Sequence, residues 1–120
     1  MVRLRSSNGD AIWAYSSSSD SATTVTGIDL DRRDNIYITG SFFSTSGLRF
    51  GSTFLNSTTY LGGPSKYRLP LIYVIRFPSN ATGGQPDWGV LAGGDGYAHS
   101  YGIAVERYEI FFFPLRSCSW

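Results

Sequence analysis

The sequence predicts an all-β protein of short antiparallel strands, and three observations predict it. The first is composition. Aromatic residues make up 16% of the 120-residue chain, charged residues only 16%, and there are 14 glycines. Charged residues average ~25% in globular domains, and helix bundles draw on Ala, Leu, Glu and Lys. Aromatics, Gly, Ser and Thr suit strands joined by turns. The second is patterning. Apolar residues alternate or run in short bursts, and no segment of ten or more residues carries them at helical spacing. The third is an echo. GIDLDRRDNIYITGSF (27–42) returns in looser form 75 residues later as GIAVERYEIFFFPLRS (102–117).

Taken in order, VRLR (2–5) and AIWAYS (11–16) read as two strands around Asn8-Gly9, the strongest short hairpin signal. A Ser-rich loop follows (16–24). VTGIDLD (25–31) and IYITGSF (36–42) alternate on either side of the polar turn Arg32–Asn35. This alternation places Ile28, Leu30, Ile36 and Ile38 on a dry face, with Asp29 and Asp31 facing solvent. Residues 43–70 are rich in Gly, Ser and Thr; within them LRFGSTF (48–54) reads as one strand and 62–70 as a loop. LIYVIRF (71–77) is a continuous apolar run, the pattern of a strand buried on both faces. A turn region (78–87) leads to strands in 88–94 and 101–106. IFFFP (110–114) is the last, stopped by Pro114.

The echo extends beyond one hairpin. At an offset of 75, Trp88 falls on Trp13, Asp95 on Asp20, Gly102 on Gly27, Ile103 on Ile28 and Arg107 on Arg32. Leu30/Val105, Asp31/Glu106, Ile36/Phe111 and Ile38/Phe113 are similar pairs. Upstream, VRLRSSNGDAIW corresponds to VIRFPSNATGGQPDW with a longer turn. The chain therefore reads as a single all-β unit, 1–120, with an approximate repeat over 13–87 and a partial repeat over 88–120. Its repeat core is Trp13, Gly27, Ile28, Ile36, Ile38, Trp88, Gly102 and Ile103. A repeat of this length with about four strands has the size of a β-propeller blade, a small meander sheet that must stack on neighbours to bury its faces.

With these residues in view, GDAIWAYSSSSDSATTVTGIDLDRRDNIYITGSF resembles the SBBP (seven-bladed β-propeller) repeat of bacterial type. In that repeat a strand ending in Trp leads through a Gly/Ser/Asp loop to a Gly-Ile strand, a polar turn and a V-Y-V-T-G-S/T-F-like strand. The resemblance covers roughly 2–113. It implies propeller-blade architecture and a secreted or cell-surface setting, and no defined chemistry. The second copy departs from it, since IFFFPLRSCSW lacks the Thr-Gly and gains Pro114. About one and a half repeats fall short of the ~4–8 blades of a propeller, so other chains or further repeats are expected to complete the sheets.

Several function classes receive no support. The net charge is +1, with one lysine and no basic stripe, so no nucleic-acid footprint is visible. No apolar run reaches the ~18 residues of a membrane span. MVRLRSSNG carries no apolar segment of signal-peptide type. Cys118, the single cysteine, has no internal disulfide partner. Asp29 and Asp31 share the first spacing of a calcium loop, but Arg33 and Gly40 occupy positions that must supply oxygen ligands. His99 stands alone, reads as a loop residue, and has no metal-ligand spacing. No cofactor motif is present. Asn56-Ser57-Thr58 and Asn80-Ala81-Thr82 match the N-glycosylation acceptor.

The expectation is a non-enzymatic, extracellular, structural or adhesive β-repeat protein, glycosylated at Asn56 and Asn80 and self-assembling into a larger particle or fibre. The alternatives are a carbohydrate- or protein-binding propeller module using aromatics such as Trp13 and Trp88, and a fragment of a larger propeller enzyme.

Overall fold

A computed structural model describes residues 2–14, 16–19, 22–43, 47–56, 70–80, 85–93, 97–106 and 110–117. All regular structure among them is β: β1 Val2–Leu4, β2 Ala11–Ala14, β3 Ser18–Ser19, β4 Thr23–Leu30, β5 Ile36–Phe42, β6 Leu48–Phe50, β7 Thr53–Leu55, β8 Leu71–Phe77, β9 Trp88–Ala92, β10 Tyr97–Val105 and β11 Ile110–Ser117. They form a four-stranded sheet in the order β4-β5-β8-β9, a three-stranded sheet β3-β6-β7, and the two hairpins β1-β2 and β10-β11. Every pairing is antiparallel. No helix among the described residues is long and apolar enough to cross a membrane.

The four-stranded sheet is the centre of the molecule, and its two faces differ in chemistry. Strand alternation sends Ile36, Ile38 and Phe42 of β5 to one face, with Leu71, Tyr73, Ile75 and Phe77 of β8. Leu48, Phe50 and Leu55 of the small sheet and Trp13 of β2 cover this face and complete the apolar core. Each fully buried Phe or Leu contributes about 1.5–3 kcal/mol. The other face carries Tyr37, Thr39 and Ser41 of β5 beside Arg76, Val74 and Ile72 of β8. It is also covered, here by β10, so every residue of β5 is buried. The apolar run of β8 is buried nearly throughout, as its sequence predicts.

Tyr73 joins the layers within the sheet. Its ring lies in the core against Phe42 and Phe50, and its hydroxyl donates to the Thr24 carbonyl of β4 at 2.9 Å. Burial pushes its phenol up to about 12 from an ordinary value near 10. The raised group contributes stability that is fully present below pH ~10 and is lost as pH rises through the folded value. Tyr37 shifts the same way, through burial and its hydrogen bond to Asp31. Alkaline titration followed by tyrosinate absorbance and far-ultraviolet circular dichroism is expected to show unfolding between pH ~10 and ~12. Replacing Tyr73 with Phe is expected to shallow that transition; an unchanged alkaline midpoint would contradict the assignment.

The structure corrects several sequence expectations. LRFGSTF is two strands, because Gly51 at φ 58° and Ser52 turn the chain between β6 and β7. Ser18–Ser19, expected in a loop, adds to β6 as a short edge strand. Pro114 does not end β11, which continues to Ser117: β11 is the outer strand of its hairpin, where a missing N–H is tolerated. His99 lies within β10, exposed, rather than in a loop. Ile28 and Leu30 are not dry. They share the face of Ile38 and Ile36, but the layer that covers β5 and β8 does not reach β4, and both remain at least half exposed. Asp29 and Asp31 are not simply solvent-facing: Asp29 accepts from the Val105 N–H of β10, and Asp31 accepts from backbone N–H groups of its own turn.

Candidate functional site

The region where chemistry concentrates is the contact between two hairpins, β4-β5 below and β10-β11 above. Both pairs are antiparallel, and both interrupt their ladder at the same repeat position. The irregularity falls between Val25 and Gly27 in β4 and between Ser100 and Ile103 in β10. Such a bulge bends a strand and raises its twist. β10 has its counterpart in β4 at the 75-residue offset, but β11 is slipped by one residue from the register the echo predicts. Val105 stands opposite Ile110 and Ala104 opposite Phe111, so Ile36 and Tyr37 correspond to Ile110 and Phe111 rather than to Phe111 and Phe112.

β10 lies along β4, in register with itself. The Thr26 and Ser100 hydroxyls meet at 2.6 Å, 74 residues apart in sequence. A Cβ on Gly27 would lie 3.1 Å from the Gly102 Cα, so the two glycines of the Gly-Ile pair face one another backbone to backbone. The Val105 N–H donates to Asp29 Oδ2 at 2.8 Å, 76 residues away. Separations of 74, 75 and 76 bracket the repeat offset. A Cβ at Gly27 would be tight against the β10 backbone, which would have to give by a few tenths of an ångström.

A buried hydroxyl cluster locks the contact. Thr39 Oγ1 donates to the Tyr73 carbonyl at 2.9 Å and lies 3.0 Å from Ser100 Oγ. The Ser100 N–H donates to Ser41 Oγ at 3.2 Å. Buried hydroxyls cost free energy unless paired, and here each one has a partner. Ser100, beside His99 in sequence, therefore has its hydroxyl held by Thr26 and Thr39 and is buried. That arrangement fixes a backbone rather than presenting a nucleophile.

One end of the sheet carries a second network, built on Asp31. Its carboxylate accepts from the Arg33 and Asn35 backbone N–H groups at 2.8 and 3.0 Å, from Asn35 Nδ2 at 2.7 Å and from the Tyr37 hydroxyl at 3.1 Å. Partial burial works to raise its pKa. The Asn35 amide, the two backbone N–H groups and the Tyr37 hydroxyl outweigh that and hold it below its ordinary value. The Asn35 Oδ1 accepts from the Ser79 N–H at 2.9 Å, and Arg3 Nη1 donates to the Ser79 carbonyl at 2.7 Å. Arg76 bonds the Tyr37 hydroxyl and pairs with Asp87. Asp31 is thus the organiser of the turn, with Asp34 at φ 62° closing it. Its acceptor capacity is spent on the protein's own donors.

The predicted repeat-core residues fall in different places. Trp13, Ile36 and Ile38 are in the apolar core. Gly27, Gly102 and Ile103 are at the hairpin contact. Trp88 is half-buried, edge-on to Tyr37 at 6.0 Å. Ile28 is exposed. Asn56 and Asn80 are both exposed. Cys118 lies outside the described residues. Sequence reading missed Thr26, Thr39, Ser41 and Ser100. Alternation puts Thr39 and Ser41 on the face opposite Ile36 and Ile38, where polar residues read as solvent-facing, and Ser100 lies outside the predicted strands, so no sequence signal marked the cluster.

Two shallow clefts flank the contact. One, of about 500 Å³, is lined by Leu30, Asp31, Arg32, Val105 and Glu106; the other, of about 430 Å³, by Thr26, His99, Ser100 and Tyr101. Among the described residues no group of three or more His, Cys, Asp or Glu side chains is placed to hold a metal ion. The fold and this contact define an all-β protein of antiparallel sheets in which β10 packs across the face of β4 and β5. No family model, curated protein or solved structure matches the chain.

Proposed function

We propose that this chain is a non-enzymatic, structural β-repeat protein of propeller-blade type that works by self-assembly, in an extracellular or cell-surface setting. The observation that carries the reading is the stacking of β10 on β4 at the repeat offset. A chain whose repeats stack in register has a surface that another repeat of the same kind fits. Exposed apolar side chains on several strands, among them Val2, Ile12, Val25, Val90 and Phe111, agree with surfaces meant to be covered. The SBBP-like pattern and the two exposed sequon asparagines favour the extracellular setting.

The carbohydrate-binding alternative has less support at Trp13, which is buried, than at Trp88, which is half-buried. Trp13 is buried against Phe77, and Trp88 packs edge-on to Tyr37. The proposal is tested by sedimentation velocity of the purified chain over a range of concentrations. Assembly beyond the monomer is expected; a folded chain that stays monomeric throughout would remove the self-assembly reading. Intact mass of the protein from a secreting host is expected to show glycans that disappear in the Asn56→Gln, Asn80→Gln variant.

A further inference from the structure

The geometry points to a specific partner and a specific contact: a second copy of this chain docks its β10-β11 hairpin against β1 and over β4, so that two copies jointly build a four-stranded sheet. This inference rests on the self-assembly reading above and names the surface through which it acts.

The first line of argument is register. In the central sheet, β8 and β9 place Arg76 opposite Trp88. In the β1-β2 hairpin, Arg3 stands opposite Trp13. The flanking residues match as well, Val2-Arg3-Leu4 with Ile75-Arg76-Phe77. So β1-β2 is the counterpart of β8-β9, just as β10-β11 is the counterpart of β4-β5. The chain holds one complete sheet, β4-β5-β8-β9, together with both halves of another, and among the described residues those halves do not pair with each other. Antiparallel pairing of β11 from one copy with β1 of the next reproduces the order β4-β5-β8-β9 as β10-β11-β1-β2. It also sets Arg3 across from Phe111, as Arg76 lies across from Tyr37.

The second line is burial. Ile75 and Phe77 are 0% exposed, whereas their counterparts Val2 and Leu4 are 57% and 55% exposed. In the lower hairpin Val25, Ile28 and Leu30 are 61%, 59% and 50% exposed. Their counterparts at the 75-residue offset, Ser100, Ile103 and Val105, lie on the contact with the central sheet: Ser100 is 1% exposed and the other two are half-buried. The same positions are therefore covered in the half that has a neighbour and bare in the half that has none. Alternation puts the side chain of Phe111 on the face of Ala104, away from the central sheet, and Phe111 is 46% exposed. In the assembled pair that outer face covers Val25, Ile28 and Leu30 of the next copy.

The contact is head-to-tail, since one copy gives β10-β11 and the other gives β1 and β4. Such interfaces form closed rings when the rotation closes and open filaments when it does not. Each copy brings two four-stranded sheets to the assembly, one whole and one shared, besides its three-stranded sheet β3-β6-β7. Closed radial β architectures hold about 4–8 sheets, so a ring contains about two to four copies.

Native mass spectrometry and sedimentation of three proteins test this: wild type, Ile28→Asp and Phe111→Asp. Both substituted side chains are exposed, so circular dichroism is expected to show retained folding. Leu30→Lys and Phe111→Ser serve the same purpose should either variant unfold. Each single variant is expected to weaken self-association by about tenfold or more. Mixed together, they keep one intact interface between them and are expected to give a one-to-one heterodimer that grows no further. Assembly that Ile28→Asp disrupts but Phe111→Asp leaves intact would indicate a symmetric β4-to-β4 contact and overturn the inference. So would a mixture that stays monomeric. Assembly that both variants leave unchanged would also overturn it, while the self-assembly reading stood.

Discussion

Replacing Gly40 with alanine is expected to leave the chain largely unfolded, with a loss of more than about 4 kcal/mol, the range of exceptional single substitutions. The cause is the path of the Tyr73 side chain. It rises from the core, crosses β5 where Gly40 presents no side chain, and bonds the Thr24 carbonyl of β4. A Cβ at Gly40 would lie deep inside contact distance of that carbonyl oxygen and 2.6 Å from the Tyr73 hydroxyl. Neither neighbour is a flexible tip. The carbonyl belongs to the β4-β5 ladder, and moving it breaks the pairing that holds the first hairpin. Gly9 is the natural control. It sits in an open turn at φ 78° with nothing near its missing Cβ, so Gly9→Ala is expected to cost only about 1 kcal/mol of backbone strain. Urea midpoints of the two variants should differ widely. Similar, small shifts in both would show that the sheet yields at Gly40.

Trp13→Ala is the second large effect, expected at about 3–5 kcal/mol. Trp13 is the one large side chain by which the β1-β2 hairpin enters the core. It stacks on Phe77 with ring centroids 5.6 Å apart and an interplanar angle of 23°. Removing it leaves a ring-sized cavity over β8 and unhooks the hairpin at once. Its indole Nε1 is buried and finds no acceptor among the described residues, which carries a cost of about 1–3 kcal/mol. Trp13→Phe keeps most of the apolar area and discards that donor, so its loss is expected to be much smaller than that of Trp13→Ala. Thermal melts of both variants check the ordering. Equal losses would mean that the indole N–H is satisfied in solution.

Both effects bear on how far the sequence could be read. The strands at 25–31, 36–42, 71–77 and 88–94 were legible because each has a pattern the backbone enforces: period-two alternation, or a continuous apolar run of strand length. The Asn-Gly hairpin at the start was legible from turn chemistry alone. The 75-residue echo was legible from Trp, Gly-Ile and apolar residues in a fixed order. What failed was local in each case. Gly51 and Ser52 look like interior residues of a strand, and only a positive φ makes them a turn. Pro114 stops a strand that needs its N–H, and at an outer strand that N–H is not needed. Ser100 carries no signal in the sequence, because Thr26 and Thr39 are brought to it from 74 and 61 residues away.

By itself, the sequence determined the all-β class and the order of the main strands. These follow from short-range rules, namely alternation, turn residues and composition, which hold wherever a segment lies. Only the tertiary structure decided which apolar residues are dry. Ile28 and Ile38 have the same pattern and share one face of one hairpin, yet one is 59% exposed and the other 2%. The difference lies in the layer above them, and a layer is assembled from strands distant in sequence. It was the fold, too, that set Gly27 against Gly102, where a Cβ on Gly27 would be tight against the β10 backbone.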